Sequence, residues 1–250
     1  MYIYILDELL PRICELAESS PQRQIKVAAC ELLHGLVLSM IGDSAHQARG
    51  QTNPIESKYH KIYLRVFPIL LRLSIDTEGI TREMFGTLVR QLIHWLTNNA
   101  QYENPETIAL LQACLDAACS SDAGLRDYGA DCIQEFVSWS IRQQKSSRSK
   151  DSSAMNIKSV LKRLYNLASN PSSRQRLGAC IIFNRIYRTF REENELVNEF
   201  TLEILYWMFF SLKLAEEDHP LIGKKYIAFI FIFIFLSFLV DLFVLYNMNE

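Results

Sequence analysis

Turn-forming residues are scarce in this sequence, and their scarcity restricts the folds open to it. Only nine of the 250 residues are glycine and only seven are proline. β-Sandwiches and β-barrels need frequent turns, so this composition disfavours them and favours long helices. Apolar residues make up 49% of the chain and charged residues 22%, which is enough for a sizeable core under a soluble surface. The length suits one or two domains, or a short repeat array.

The sequence also lacks a strong net charge and any cysteine motif. Its formal net charge is −2, so no whole-chain attraction to nucleic acid or to a membrane surface is expected. None of the six cysteines forms a CxxC pair, and no histidine lies at ligand spacing from two of them. A structural zinc site needs four convergent ligands. We therefore expect reduced thiols in the core of a nuclear or cytosolic protein.

Catalytic motifs are missing as well. The sequence has no Gly-rich phosphate loop, no DFG, no GxSxG, no HExxH and no P-loop. Its five histidines stand singly, and a lone histidine on a helix is more often structural than catalytic. The chain by itself is therefore expected not to be an enzyme, and no cofactor or metal site is predicted.

Helix signals recur as far as about residue 217. Apolar residues from Ile25 to Met40 follow a 3.6-residue spacing, and Gly42 stands where that helix is expected to end. Polar caps mark helix starts at Ser20-Pro21, Asn104-Pro105, Asn156 and Asn170-Pro171. About eight helices joined mostly by short turns are predicted. This pattern indicates an all-α fold, a HEAT- or armadillo-like α-solenoid of degenerate helical pairs, although periodicity alone leaves a compact irregular helical domain open.

Two segments interrupt the helical pattern, and a basic stretch accompanies the second. Residues 43–56 are predicted to form a long flexible loop, and the serine-rich residues 144–156 are predicted to be disordered because they cannot bury apolar surface. Between residues 142 and 163 there are seven basic residues and one acidic residue. A basic strip beside a loop could contact DNA phosphates. The alternative interpretation is a solvated loop followed by an ordinary polar helix face.

The basic stretch supplies the candidate site residues. The candidates for contact with DNA phosphates are Lys158, Lys162 and Arg163. The candidate phosphate-accepting serines are Ser146, Ser147, Ser149, Ser152 and Ser153.

Residues 224–250 differ abruptly in composition from residues 1–223. Only Ser237 and Asp241 interrupt an apolar stretch over residues 226–246, which is long enough to span a bilayer behind Lys224-Lys225. Read in this way, the chain is a tail-anchored membrane protein. The other interpretation is translated intron, because residue types with A/T-rich codons dominate and Gly223-Lys224 fits a GGTAAG exon end. The sequence thus predicts a helical-repeat segment over 1–223 and an apolar, helix-like tail over 224–250.

Several long runs resemble the phosphatidylinositol-3-kinase-related kinase family. They cover residues 20–34, 67–73, 91–99, 161–168, 176–179 and 183–193. The resemblance extends over about residues 8–223 and stops where the composition changes. The family member that these runs resemble is the one that the Ku heterodimer recruits to broken DNA ends.

This resemblance implies a segment of the N-terminal helical scaffold of a nuclear Ser/Thr kinase acting in non-homologous end joining, with the kinase domain elsewhere. The implied partners are Ku, DNA ends, and the remaining scaffold and kinase domain. A small tail-anchored helical adaptor at a membrane, held there by residues 226–246, is the alternative.

Overall fold

Helices account for all the regular structure that is described. The computed structural model describes residues 2–48, 59–98, 105–146 and 151–215. Within these ranges the helices are α1 Tyr2–Ser19, α2 Arg23–Ala48, α3 His60–Leu73, α4 Gly79–Asn98, α5 Pro105–Ala118, α6 Ala123–Ser146, α7 Asp151–Ala168, α8 Ser173–Arg191 and α9 Asn194–Leu214. No strand occurs among the described residues. The all-α prediction is confirmed.

The chain divides into two compact units. The first comprises residues 1–117 and 139–156, and the second comprises residues 118–138 and 157–250. In the first unit α1 packs against α2, and α3 packs against α4. In addition α1 contacts α3, and α2 contacts α4. Alternate helices therefore stack in two layers, which is how the pairs of a helical-repeat solenoid bury their apolar faces.

Apolar residues at helical spacing build the core of each unit. In α3 the buried side chains recur every three or four residues from Ile62 to Leu70, so that one face of the helix is covered. In the second unit α8 packs against α9, and α8 buries Ile182 and Ile186 on its apolar face. In these two helices the 3.6-residue periodicity corresponds to the buried faces observed. In α2, by contrast, Ile25 and Leu32 are 41% and 52% exposed, although their spacing places them on the predicted apolar face.

Gly42 does not end its helix. α2 continues to Ala48, so residues 43–48 of the predicted loop 43–56 are helical, and residues 49–58 lie outside the described residues. No proline follows Gly42 in this stretch, and contacts with the start of α3 hold the extra turn. The Tyr59 hydroxyl donates to Asp43 at 2.9 Å, and the Ser44 and Tyr63 hydroxyls are 3.0 Å apart.

Asn156 does not cap α7. The helix begins at Asp151, five residues earlier, so most of the predicted disordered segment 144–156 belongs to the end of α6 or to the start of α7. Aspartate and serine are favourable at a helix N-terminus, and residues 151–153 have this composition. Residues 147–150 lie outside the described residues, as does the whole apolar tail from residue 224.

Candidate functional site

The turns between helices repeat one hydrogen-bonding arrangement. In three of them an arginine near the start of the second helix donates through Nη1 to a main-chain carbonyl six residues earlier. The pairs are Arg82 with Asp76 at 2.9 Å, Arg126 with Ser120 at 3.3 Å, and Arg176 with Asn170 at 2.7 Å. The planar guanidinium carries several donors, so one side chain can tie a turn to its helix. The repeated contact gives these turns a common local structure.

Arg176 is the most deeply buried of these arginines. Only 1% of its surface is exposed, and Nη1 also donates to the Pro171 carbonyl at 2.7 Å. A charge removed from water must be compensated by close polar contacts. The carbonyls of Asn170 and Pro171 supply two of these contacts, so Arg176 fixes the turn between α7 and α8.

A fourth basic residue at the same spacing joins two helical pairs in the first unit. Lys26 stands six residues after Ser20, and its Nζ lies 2.6 Å from Asp76 Oδ2 at the turn between α3 and α4. Beside it, Arg23 Nε lies 2.8 Å from Glu78 Oε1. The hydrogen bond from Arg23 is the main cause that holds the pKa of Glu78 below its ordinary value of 4.5. Charged contacts thus connect the turns of neighbouring pairs.

A groove of about 380 Å³ lies between α1 and α3. Its lining includes Leu10, Pro11, Cys14, Arg65, Val66 and Ile69. Burial raises the pKa of the Cys14 thiol to about 11, which leaves it protonated and weakly nucleophilic at neutral pH. Within the described ranges, no group of three or more His, Cys, Asp or Glu side chains could hold a metal ion.

The structure brings two of the three predicted DNA-contacting residues together. Lys158 and Lys162 lie one helical turn apart on the exposed side of α7, whereas Arg163 is half-buried. Ser146 ends α6, and Ser152 and Ser153 lie in the first turn of α7. The remaining candidates, Ser147 and Ser149, lie outside the described residues. Contact with DNA and phosphate acceptance stay predictions.

One stretch in the described part of the chain has the length and apolar composition of a membrane span. It covers Arg23–Ser44, within α2. The same helix packs against α1 and α4, and core helices of soluble proteins share its composition. This is weak evidence for a membrane, and the predicted span over residues 226–246 lies outside the described residues.

Comparison with known proteins identifies the relatives of the chain. A family model described as DNA-dependent protein kinase catalytic subunit, CC1/2, matches residues 57–227. The chain belongs to this family. The DNA-dependent protein kinase catalytic subunits of Mus musculus and Gallus gallus are 46% and 44% identical to it over 222 residues, 88% of this chain. That of Dictyostelium discoideum is 46% identical over 213 residues, 85% of the chain.

The chain spans only 5% of the length of each of these relatives. The relatives are protein kinases by name, whereas the kinase signature motifs are absent from this sequence. The family match ends at residue 227, close to the change in composition at residue 224. The resemblance inferred from the sequence runs is therefore confirmed, and the tail lies almost wholly beyond the matched region.

Sequence reasoning missed the repeated turns, although the sequence carries a signal for them. The signal is a basic residue six positions after a turn residue, at 20 and 26, 76 and 82, 120 and 126, and 170 and 176. The intervals between successive turns differ, being 56, 44 and 50 residues by subtraction of these positions. A search for one fixed period cannot detect a repeat of this kind.

Proposed function

We propose that this chain is a scaffold segment of a nuclear, DNA-dependent Ser/Thr protein kinase that acts in double-strand break repair by non-homologous end joining. Its role is to keep helical pairs in register so that the complete protein can bind Ku and DNA ends and position its kinase domain. The observation that carries the proposal is the set of charged contacts tying the turns, Lys26 with Asp76 above all. The names of its relatives support it.

A chimeric kinase tests this role. Residues 8–223 of this chain replace the matching segment of the Mus musculus relative, in cells that lack that protein. We expect the chimera to restore joining of a cut reporter and DNA-stimulated kinase activity. Changing the buried Arg176 to Leu should impair both, whereas the same change at the exposed Arg174 should impair neither. A chimera with normal basal kinase activity but no response to DNA ends would argue against the role.

Direct contact with DNA through Lys158 and Lys162 is a separable part of the proposal. Both side chains are exposed on one face of α7. Each phosphate contact adds about 0.9 to the slope of log affinity against log salt. The double change of Lys158 and Lys162 to Glu should therefore lower that slope by about 2 if both contact phosphates. The exposed Lys61 of α3, changed to Glu, is the control, and a slope equal to the control's would exclude the contact.

The second candidate function, a small tail-anchored helical adaptor, depends on the apolar residues 226–246. Alkaline carbonate extraction of membranes from cells that express the full chain separates the two. Retention of the chain in the membrane pellet would favour the adaptor and a membrane location. Release into the soluble fraction, with nuclear accumulation, would favour the repair scaffold.

A further inference from the structure

Ser20 lies in the turn between α1 and α2 and is followed by a proline. Of the seven prolines in the sequence, Pro21 alone comes directly after a serine or a threonine, and Arg23 stands three positions after Ser20. Proline has no N–H to leave unpaired in an apolar pocket of a kinase, and arginine offers a charge for an acidic pocket beside it. Ser20 therefore carries the sequence pattern by which proline-directed Ser/Thr kinases select their acceptor.

The hydroxyl of Ser20 is accessible at the surface of the first unit. Residues 20–22 lie between the two helices, and Ser20 is half-buried, whereas Pro21, Gln22 and Arg23 are exposed. The hydroxyl donates to the Gln22 carbonyl at 3.4 Å, which is long for a hydroxyl donor. This contact is exposed, so water can replace the carbonyl when the hydroxyl turns away. The hydroxyl is thus available as a nucleophile.

The other turns show how an anionic oxygen would be held at this position. In each of the three turns tied by an arginine, the side-chain oxygen of the turn residue accepts a hydrogen bond from the amide two positions later. The pairs are Asp76 with Glu78 at 2.8 Å, Ser120 with Asp122 at 3.1 Å and Asn170 with Ser172 at 2.9 Å. A proline stands between the last two, as Pro21 stands between Ser20 and Gln22. An anionic oxygen on Ser20 can therefore bind the Gln22 amide in the same way.

Two cations lie near this position, and both hold the next turn. Lys26 follows Ser20 at the six-residue spacing that lets arginines reach the carbonyls of the other turns. Its Nζ lies 2.6 Å from Asp76 Oδ2, and Arg23 Nε lies 2.8 Å from Glu78 Oε1. The Arg23 side chain is 72% exposed, so it can turn towards a new anion at little cost. A phosphate on Ser20, with about −1.5 to −2 charges at neutral pH, competes with both carboxylates.

We propose that Ser20 is a phosphorylation site for a proline-directed Ser/Thr kinase, and that the phosphate loosens the contact between the first two helical pairs. Ser20 Oγ attacks the γ-phosphorus of ATP, the bond to the ADP oxygen breaks, and the hydroxyl proton passes to the catalytic base of the kinase. The phosphate then binds the Gln22 amide and draws Arg23 and Lys26 away from their carboxylates. The loosening bears on the proposed scaffold function, whereas the site itself does not depend on that function.

Phosphate transfer to the full chain tests the site. The chain is incubated with a cyclin-dependent kinase, which is proline-directed, and ³²P-labelled ATP, and the labelled residues are mapped by mass spectrometry. Ser20→Ala should abolish the label at this turn, and Pro21→Ala should lower kcat/KM roughly ten-fold, because its N–H is left unpaired in the kinase. Ser172→Ala is the control, since Ser172 is also exposed beside a helix start but no proline follows it. No label at Ser20, or an unchanged kcat/KM for Pro21→Ala, would overturn the site.

A double-mutant cycle in the phosphorylated chain tests the loosening. The coupling between Lys26→Ala and Asp76→Ala in urea unfolding should fall at least about two-fold when Ser20 carries phosphate, because the ammonium is then shared between two anions. Ser20→Ala, treated with the kinase in the same way, should keep the full coupling. An unchanged coupling in a chain fully phosphorylated at Ser20 would overturn the loosening, and it would leave the outcome of the labelling experiment as it stands.

Discussion

The ammonium of Lys26 lies 2.6 Å from the carboxylate of Asp76 and joins the first turn of α2 to the turn after α3. The two side chains are only 16% and 13% exposed. Asp76 Oδ1 also accepts a hydrogen bond from the amide of Glu78 at 2.8 Å, which orients the carboxylate. Partial burial strengthens the attraction between the charges and also raises the cost of removing them from water. The main contribution of such a pair is to hold neighbouring helical pairs in one register.

A double-mutant cycle measures this pair. We expect the single changes Lys26→Ala and Asp76→Ala each to lower the free energy of unfolding by about 1–3 kcal/mol, with a coupling of about 1–2 kcal/mol between them. The control pair, Arg12 with Glu15, also has a 2.6 Å contact but is 65% and 61% exposed. Its coupling should be at most about 0.5 kcal/mol. Equal couplings in urea unfolding would contradict a special role for the Lys26–Asp76 contact.

Close packing at Gly178 of α8 gives a second prediction. A methyl group added there would lie 2.7 Å from Cys119 Sγ and 2.8 Å from the carbonyl oxygen of Ala118. The carbonyl cannot move without shifting the backbone, so Gly178→Ala should destabilise the chain by about 1–3 kcal/mol.

Gly86 is the matched control, because it also lies inside a helix and an added methyl group meets nothing within 4 Å. Gly86→Ala should stabilise by about 0.5–1 kcal/mol through helix propensity. Thermal unfolding of the two variants should therefore shift in opposite directions. A rise in the unfolding temperature of Gly178→Ala would show that the close approach at Gly178 is relieved elsewhere.

Which features could be predicted from the sequence depends on how local their causes are. The helix starting at Pro105 follows from the Asn104-Pro105 signal alone, and α5 begins there. The predicted end of α2 at Gly42 is wrong because contacts with Tyr59 and Tyr63 extend the helix, and these two residues are distant in the sequence. The six-residue spacing from Asn170 does not predict the burial of Arg176 either, because Arg82 is exposed and Arg126 is half-buried at the same spacing.

Residue type alone places Arg176 on a polar helix face, and only the folded turn brings two carbonyls to it. The same limit applies to the predicted phosphate contacts. The sequence alone assigns Lys158, Lys162 and Arg163 to one basic strip without distinguishing them. The packing of α7 leaves only the two lysines exposed. Local sequence patterns thus predict the helices, whereas contacts between helices determine where α2 ends and which charged side chains face solvent.

Two buried tyrosines give a third prediction. No hydrogen-bond partner for the buried Tyr165 hydroxyl occurs among the described residues, whereas the Tyr63 hydroxyl lies 3.0 Å from Ser44 Oγ. Removing an unpaired buried hydroxyl relieves a desolvation cost, but removing a paired one loses a bond. Tyr165→Phe should leave the free energy of unfolding unchanged or raise it by up to about 1 kcal/mol, and Tyr63→Phe should lower it by about 1–2 kcal/mol. Similar losses in both variants, in urea unfolding, would contradict the assignment.

Two buried thiols make the stability of the chain depend on alkaline pH. Burial raises the pKa of Cys14 from 9.0 to about 11 and that of Cys180 from 9.0 to about 12, although the charge of Arg176 opposes the second shift. Between pH 9 and 11 the unfolded chain therefore loses protons that the folded chain keeps. By linkage, the stabilisation is fully present below pH 9 and is lost as the pH rises. Burial also raises the pKa of Tyr63 and of Tyr165, which adds to the loss above pH 10.

The thiol contribution is isolated by comparing slopes. The double variant Cys14→Ala, Cys180→Ala starts less stable at pH 8 because its core has lost volume, but its free energy of unfolding should fall less steeply from pH 9 to pH 11. Val37→Ala removes buried volume without removing a thiol. Its free energy of unfolding at pH 8 should therefore be lower than that of the wild type, but it should fall with pH as steeply as in the wild type. Urea titrations at pH 8, 9, 10 and 11 give all three slopes. If the free energy of unfolding of the double variant falls as steeply with pH as that of Val37→Ala, ionisation of these thiols does not limit the alkaline stability, and the tyrosines become the groups to change next.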